Sequence, residues 1–230
     1  MISFKWKHYP KEAIMRAVRW YVSYALSYKD VCELLLERGL DIERSTVNRW
    51  VIEYAPQFEK AFRKQYKRPV GTSWRMDETY VLVHKEWHYL YRAVDKAGQT
   101  VDFFFSKKRD RKAALTFFEK AIGSSGLPET MTIDGSKANM AAANRINMYL
   151  FLYGLLPLTM IIRTNKYLNN LIEQDHRGIK KIVRGTRGFK SFKTADATLH
   201  GIELSWMLKK GQMHNPKNLP LHEQFYALAA

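Results

Sequence analysis

Four acids in this chain sit where carboxylates can do chemistry. In WRMDETYVLV the pair Asp77 and Glu78 interrupts a strand-like run, where an ionised carboxylate is costly unless something compensates it. Strand alternation sends Glu78 to the opposite face from Asp77, to a structural or exposed position. Asp134 closes the short run MTID before Gly135 and Ser136. That is a common place for a ligand in an α/β sheet, and also where turn-forming Asp residues fall. In KYLNNLIEQDHRGIKKIVRG, helical spacing puts Leu168, Ile172, Ile179 and Val183 on one face. Glu173, Arg177, Lys180 and Arg184 form a second strip, and Asp175 falls beyond the core stripe, so this helix offers a site one carboxylate beside cations. Each acid alone is explained by a salt bridge, a turn or solvated i,i+4 pairs. Together they supply the oxygen donors that hard divalent cations prefer. Two such cations about 3.5–4 Å apart activate a water or a 3′-hydroxyl and stabilise the leaving oxygen of a phosphodiester. Zinc has no CxxC to hold it, and His84 and His88 of HKEWH are expected in an exposed hairpin. No Ser or Cys nucleophile motif and no Gly-rich phosphate loop occurs.

The charge balance points the same way. Lys and Arg number 38 against 22 acids, a net charge of +16 that calls for a polyanionic partner, nucleic acid before anionic membrane. The single cysteine, Cys32, forms no internal disulfide and fits a reducing compartment. The longest apolar run, Met148 to Ile162, is broken by Gly154 and Pro157 and falls short of the ~18 residues of a membrane span. It reads as a buried helix end, a turn and a buried strand.

Those acids need elements to position them. Residues 10–66 read as helical, beginning at Pro10. Ser27 is placed to cap a helix running to about Arg38, Gly39 to end it, Ser45 to cap the next, and Pro56 to stop that one. A helix, a short turn and a second helix with a polar start form the outline of a helix-turn-helix, with Ser45, Thr46, Asn48 and Arg49 nearest DNA. Lys60 to Ser73 reads as a basic linker. Three strand-like runs follow (WRMDETYVLV, WHYLYRAV, TVDFFFS), then a helix, the strand MTID, a helix, the strand LTMIIR and a last pair of helices. The order βββαβαβα predicts an α/β mixed sheet flanked by helices, and the tail from Met213 is expected to pack loosely.

WRMDETYV, LYRAVDKAGQTVDFF, TIDGSKAN, KYLNNLIEQDHRGIKKIVRGTRGFKSFKTADATLHGIEL and the closing KKGQ resemble the DDE transposases of bacterial insertion sequences. Within these they are most similar to the sixth insertion-sequence family, which moves replicatively through cointegrates. AVRWYVSYALSY and STVNRWVIEYAP resemble that family's helix-turn-helix. The likeness runs from about residue 4 to residue 213.

The resemblance implies a ribonuclease-H-like catalytic domain over 74–212, an all-α helix-turn-helix domain over 1–66, a linker at 67–73 and a tail at 213–230. It implies Asp77, Asp134 and Glu173 as the catalytic acids holding two Mg²⁺ ions, with Mn²⁺ able to substitute, and Lys180 beside the scissile phosphate. Arg177, Lys181 and Arg184 are further DNA-contact candidates. The implied partners are the terminal inverted repeats and target DNA, bound by at least a dimer in the bacterial cytoplasm at the nucleoid, with no membrane. A copy that binds the repeats without cutting is the alternative. Two features depart from the family pattern: 38 residues separate Asp134 from Glu173, more than expected, and Gly135 stands where Lys is usual.

Overall fold

The computed structural model describes residues 2–154, 159–164, 170–186, 188–215 and 217–229. The chain divides into two compact units, residues 69–177 and residues 1–68 with 178–230, so the division falls within one helix. The sequence reading instead joined 178–212 to the sheet.

The first unit is built on a five-stranded mixed sheet. Its strands are β1 (Ser73–Val83), β2 (Glu86–Asp95), β3 (Thr100–Ser106), β4 (Thr130–Ile133) and β5 (Ile161–Thr164), in the order β3-β2-β1-β4-β5. The first three are antiparallel; β4 runs parallel to β1, and β5 to β4. Both expected hairpin turns form. His84 and Lys85 take positive φ in the two-residue loop after Val83, matching the right-handed twist of the flanking strands. Asp95 Oδ1 accepts the Ala97 and Gln99 amides, and Gly98 supplies the positive φ that closes the second turn.

Two helices cover one face of this sheet. Helix α4 (Arg111–Ser125) starts at Asp110, whose carboxylate accepts the Ala113 amide at 2.8 Å, and α5 (Lys137–Leu152) follows Ser136. Phe117, Phe118, Ala142 and Ala143 pack on Trp74, Met76, Tyr91 and Met131; each fully buried Phe contributes about 1.5–3 kcal/mol. The end of α5 departs from expectation. Phe151, Leu152 and Tyr153 are exposed, as is Ile161 on the edge strand β5, because the buried residues of α5, Asn139, Ala142, Ala143 and Ile146, all lie more than a turn before its end. Leu158, the start of the expected fifth strand, lies outside the described residues.

The second unit is helical, with α1 (Lys11–Ser23), α2 (Tyr28–Leu36), α3 (Arg44–Gln65), α7 (Phe192–Lys209) and α8 (Leu221–Ala227). Helix α6 (Asn170–Gly185) spans the division between the units. Ser27 caps α2 in a reciprocal capping box with Asp30, and Gly39 follows it at φ +74. Pro56 does not end α3. The helix runs through it because Tyr54, Phe58 and Phe62 are all fully buried, which offsets the ~3 kcal/mol an interior proline costs. Eleven of the 18 residues of α7 are buried, and its Gly201 leaves room for Val22 of α1 and Ala55 of α3. The tail is not loose either: Phe225 of α8 is buried and packs edge-on against Phe58 at 5.2 Å.

Candidate active site

Asp77 and Asp134 are brought together by strand register. β1 pairs with β4 through Arg75 and Thr132, and continuing that parallel register sets Asp134 abreast of Asp77. β4 ends at Ile133, which leaves the edge of β1 open beside both. Around this open edge Glu78, on the α4 and α5 side of the sheet, joins them. Oxygens of Asp77, Glu78 and Asp134 all lie within 4.8 Å of one another, the one such group among the described residues. Glu78 is therefore part of the acid group, and the expectation that alternation removes it fails because side chains at an unpaired edge can turn toward the same space.

The group carries its own cation. Arg109, in the loop between β3 and α4, donates from Nη2 to Asp134 Oδ2 at 2.9 Å and to Glu78 Oε2 at 3.3 Å. Asp134 Oδ1 accepts the Ser136 amide at 3.0 Å and the side-chain amide of buried Asn139 at 3.2 Å. Burial pushes the Glu78 carboxyl above the usual carboxylate range, and Arg109 recovers only part of the shift. For Arg109 the balance is opposite: burial works against its charge, but Glu78 and Asp134 outweigh it and raise its pKa.

On the other side of the sheet His176 reaches Asp77, with Nε2 3.3 Å from Oδ2. Fully buried Arg92 of β2 lies 3.2 Å from His176 Nδ1 and donates to Asp175 at 2.6 Å. A guanidinium only donates, so Nδ1 is the acceptor and the imidazole proton sits on Nε2, directed at Asp77. Glu173 is exposed in the first turn of α6 and is not among the three clustered acids. It precedes His176 by three residues, which sets their Cβ atoms about 5–6 Å apart on the helix surface. Ile172, His176, Ile179 and Ile182 form the buried stripe of α6; Arg177, Lys180, Lys181 and Arg184 are exposed, and Leu168 lies outside the described residues. His88, expected to be exposed, is buried.

A family described as a DDE domain matches residues 71–212. The chain is 42% identical over 207 residues, 90% of its length and 88% of theirs, to the Staphylococcus aureus transposases of the insertion sequence-like element IS431mec and of IS257 in transposon Tn4003. The chain belongs to the DDE transposases of the sixth insertion-sequence family. Among solved structures it is similar to the HTLV-2 integrase catalytic core (16% identity, TM-score 0.44, 68% of this chain and 98% of that one) and to that of BIV integrase (16% identity, TM-score 0.43, 68% and 95%).

As a transposase it is an enzyme that cuts and joins DNA, and its DDE domain is one that uses a divalent cation. The acid group fits such an ion by its chemistry: it offers only carboxylate oxygens, and Glu78 Oε1 is buried without a hydrogen-bond partner. Sequence reasoning missed Arg109, Asn139, Arg92 and His176. Arg109 stands in KKRDRK, where five cations surround one acid and none is marked; Arg92 reads as a strand residue, and only its burial singles it out.

The transposase's four helix-turn-helix candidates divide between two sides of α3. Thr46 and Arg49 line a cleft of about 450 Å³ with Trp6, Lys7 and His8, and Arg49 donates to Thr46 at 3.0 Å. Ser45 and Asn48 line another of about 400 Å³ with Arg44 and Lys190. Asn48 is engaged inward, its amide donating to the Tyr28 hydroxyl at 2.8 Å. Ser45 is not the helix cap. Glu43 holds that position, and the Ser45 hydroxyl donates to the Glu43 carboxylate at 3.0 Å. No described helix is long and apolar enough to cross a membrane.

Arg109 occupies space among the acids that a cation would otherwise neutralise. Arg109→Gln is expected to tighten Mn²⁺ binding about tenfold by calorimetric titration, a change of about 1.4 kcal/mol, while lowering the melting temperature of the metal-free protein. Unchanged or weaker Mn²⁺ binding would show that the guanidinium does not compete for the site.

Proposed function

We propose that this transposase recognises the terminal inverted repeats of its element through α2 and α3, and cuts and joins DNA at the acid group of β1 and β4. The observation that carries this reading is the convergence of Asp77 and Asp134, far apart in sequence, on one cluster of carboxylates in a chain of net charge +16. Asp77, Asp134 and Glu173 are the proposed ligands of two Mg²⁺ ions, with Mn²⁺ an adequate substitute, and the buried Glu78 borders them. Divalent cations bound there would supply the charge that activates the attacking oxygen and stabilises the leaving one.

The chain's own residues do the positioning. His176, held in one tautomer by Arg92, orients Asp77; Ser136 and Asn139 orient Asp134. Glu173 approaches from the first turn of α6, one turn before His176. Lys180, two turns further along the exposed strip, contacts a phosphate near the scissile bond, and Arg177, Lys181 and Arg184 follow the backbone. Joining two ends to a target calls for at least a dimer on DNA. The proposed location is the bacterial cytoplasm, at the nucleoid.

The test is strand transfer by the purified protein, with a labelled duplex carrying the element's terminal repeat, target plasmid, and Mg²⁺ or EDTA. Metal-dependent joined product that disappears in Glu173→Gln is the expected result. Binding of the repeat with no cutting or joining under Mg²⁺ or Mn²⁺ would replace this reading with that of a DNA-binding copy.

A further inference from the structure

The sheet face that carries Glu78 continues beyond the helices covering it. Alternation puts Tyr80 and Leu82 in line with Glu78, and the register sets Tyr91, Tyr89 and Trp87 opposite these three. Tyr91 is buried against Phe117 of α4 at 6.0 Å, so α4 covers the face there. Toward the hairpin turn the cover ends: Tyr80 is 51% exposed and Trp87 60%. Their rings are not scattered. Tyr80 meets Trp87 edge-on at 6.2 Å and Tyr89 at 5.5 Å, a contiguous aromatic surface of the kind that marks a binding site.

The surroundings select the ligand. Lys85 sits in the turn beyond Trp87. Tyr89 pairs with Ser106, and the next three residues are the exposed cations Lys107, Lys108 and Arg109, the last touching Glu78. Aromatic faces interleaved with cations suit nucleobases strung on phosphates, which stack on the rings whatever their sequence while their backbone is neutralised. At about 3.3 Å per residue, Tyr80 lies about 7 Å from Glu78 along the strand and Trp87, opposite Leu82, about 13 Å. With about 3.4 Å per nucleotide of a strand, the platform falls within about four nucleotides of a bond held at the acids.

We propose that Tyr80, Tyr89 and Trp87 form a stacking platform for unpaired bases of the DNA strand whose phosphodiester lies at the acid group. The inference rests on the proposed role of that group. It assigns the hairpin a part in holding the strand end after its bases leave the duplex.

The test compares a terminal-repeat duplex carrying four unpaired nucleotides, one of them 2-aminopurine, with its fully paired counterpart. Binding is measured in EDTA, so no cutting intervenes. The wild type is expected to bind the unpaired form about tenfold more tightly and to quench the 2-aminopurine. Trp87→Ala and Tyr80→Ala should lose the preference and the quench while binding paired DNA as before, and Trp87→Phe should keep both. Equal affinity for the two duplexes, or quenching that survives both alanine variants, would overturn the proposal. So would an alanine variant whose subunit association changes in sedimentation while its quench does not, since the face would then be a contact between copies. Quenching by a protein that makes no joined product would leave the platform standing and remove the catalytic reading. Joined product without quenching would do the reverse.

Discussion

Asp134→Asn is expected to lower the rate of DNA cutting by about a thousandfold, the loss of about 4 kcal/mol of transition-state stabilisation. The substitution keeps an oxygen to accept the Ser136 amide and the Asn139 side chain, so the start of α5 stays anchored and the fold is preserved. What it removes is the charge on the side that now meets Arg109, and with it one oxygen donor of the acid group. Three measurements separate these effects: initial rate on a terminal-repeat duplex, melting temperature without metal, and the melting shift caused by Mn²⁺. The rate and the Mn²⁺ shift should collapse while the metal-free melting temperature stays close to that of the wild type. Cutting at the wild-type rate by the Asp134→Asn protein would remove Asp134 from the chemistry.

Arg92→Leu is expected to cost about 3–5 kcal/mol of stability, because it takes the cation from a buried pair and leaves the Asp175 carboxylate without that partner. The size follows from the asymmetry of buried charge. Forming such a pair gains little over an apolar contact, but breaking it strands the remaining ion. Arg92→Leu combined with Asp175→Leu should therefore recover part of the loss, which urea denaturation of the two single variants and the double variant would reveal. The same substitution releases His176 Nδ1, so the ring is no longer held to the tautomer that donates to Asp77. Mn²⁺ binding should weaken in Arg92→Leu and in His176→Leu alike. A double variant no more stable than Arg92→Leu would show that the pair is not the source of the loss.

Much of this molecule is legible in its sequence, for reasons that are local. Ser27 with Asp30, Gly39, Asp95 and Gly98 each satisfy or bend the backbone within a few residues, so cap, helix end and turn follow from residue type. The β-branched and aromatic residues of WHYLYRAV and TVDFFFS, bounded by turn residues, favour strands, and the stripe through Ile172 and Ile179 favours a helix with Glu173, Arg177 and Lys180 on its open side. Misreadings arise where a distant contact outweighs the local signal. Pro56 reads as a stop, yet buried Phe58 and Phe62 carry α3 through it. The tail reads as loose, because nothing near Phe225 discloses that Phe58 receives it.

Periodicity, capping and charge are properties of neighbouring residues, so the chain alone discloses most of the elements, the basic character and the acids worth watching. Tertiary structure alone decided which acids meet. The register of β1 on β4 sets Asp134 beside Asp77, and the end of β4 leaves the edge over which Glu78 joins them. It also decided that Arg109, one cation among many in a basic loop, pairs with Asp134 and Glu78, and that Arg92 is buried where its charge fixes His176. Those outcomes depend on distances between residues far apart in the chain, which no local pattern encodes.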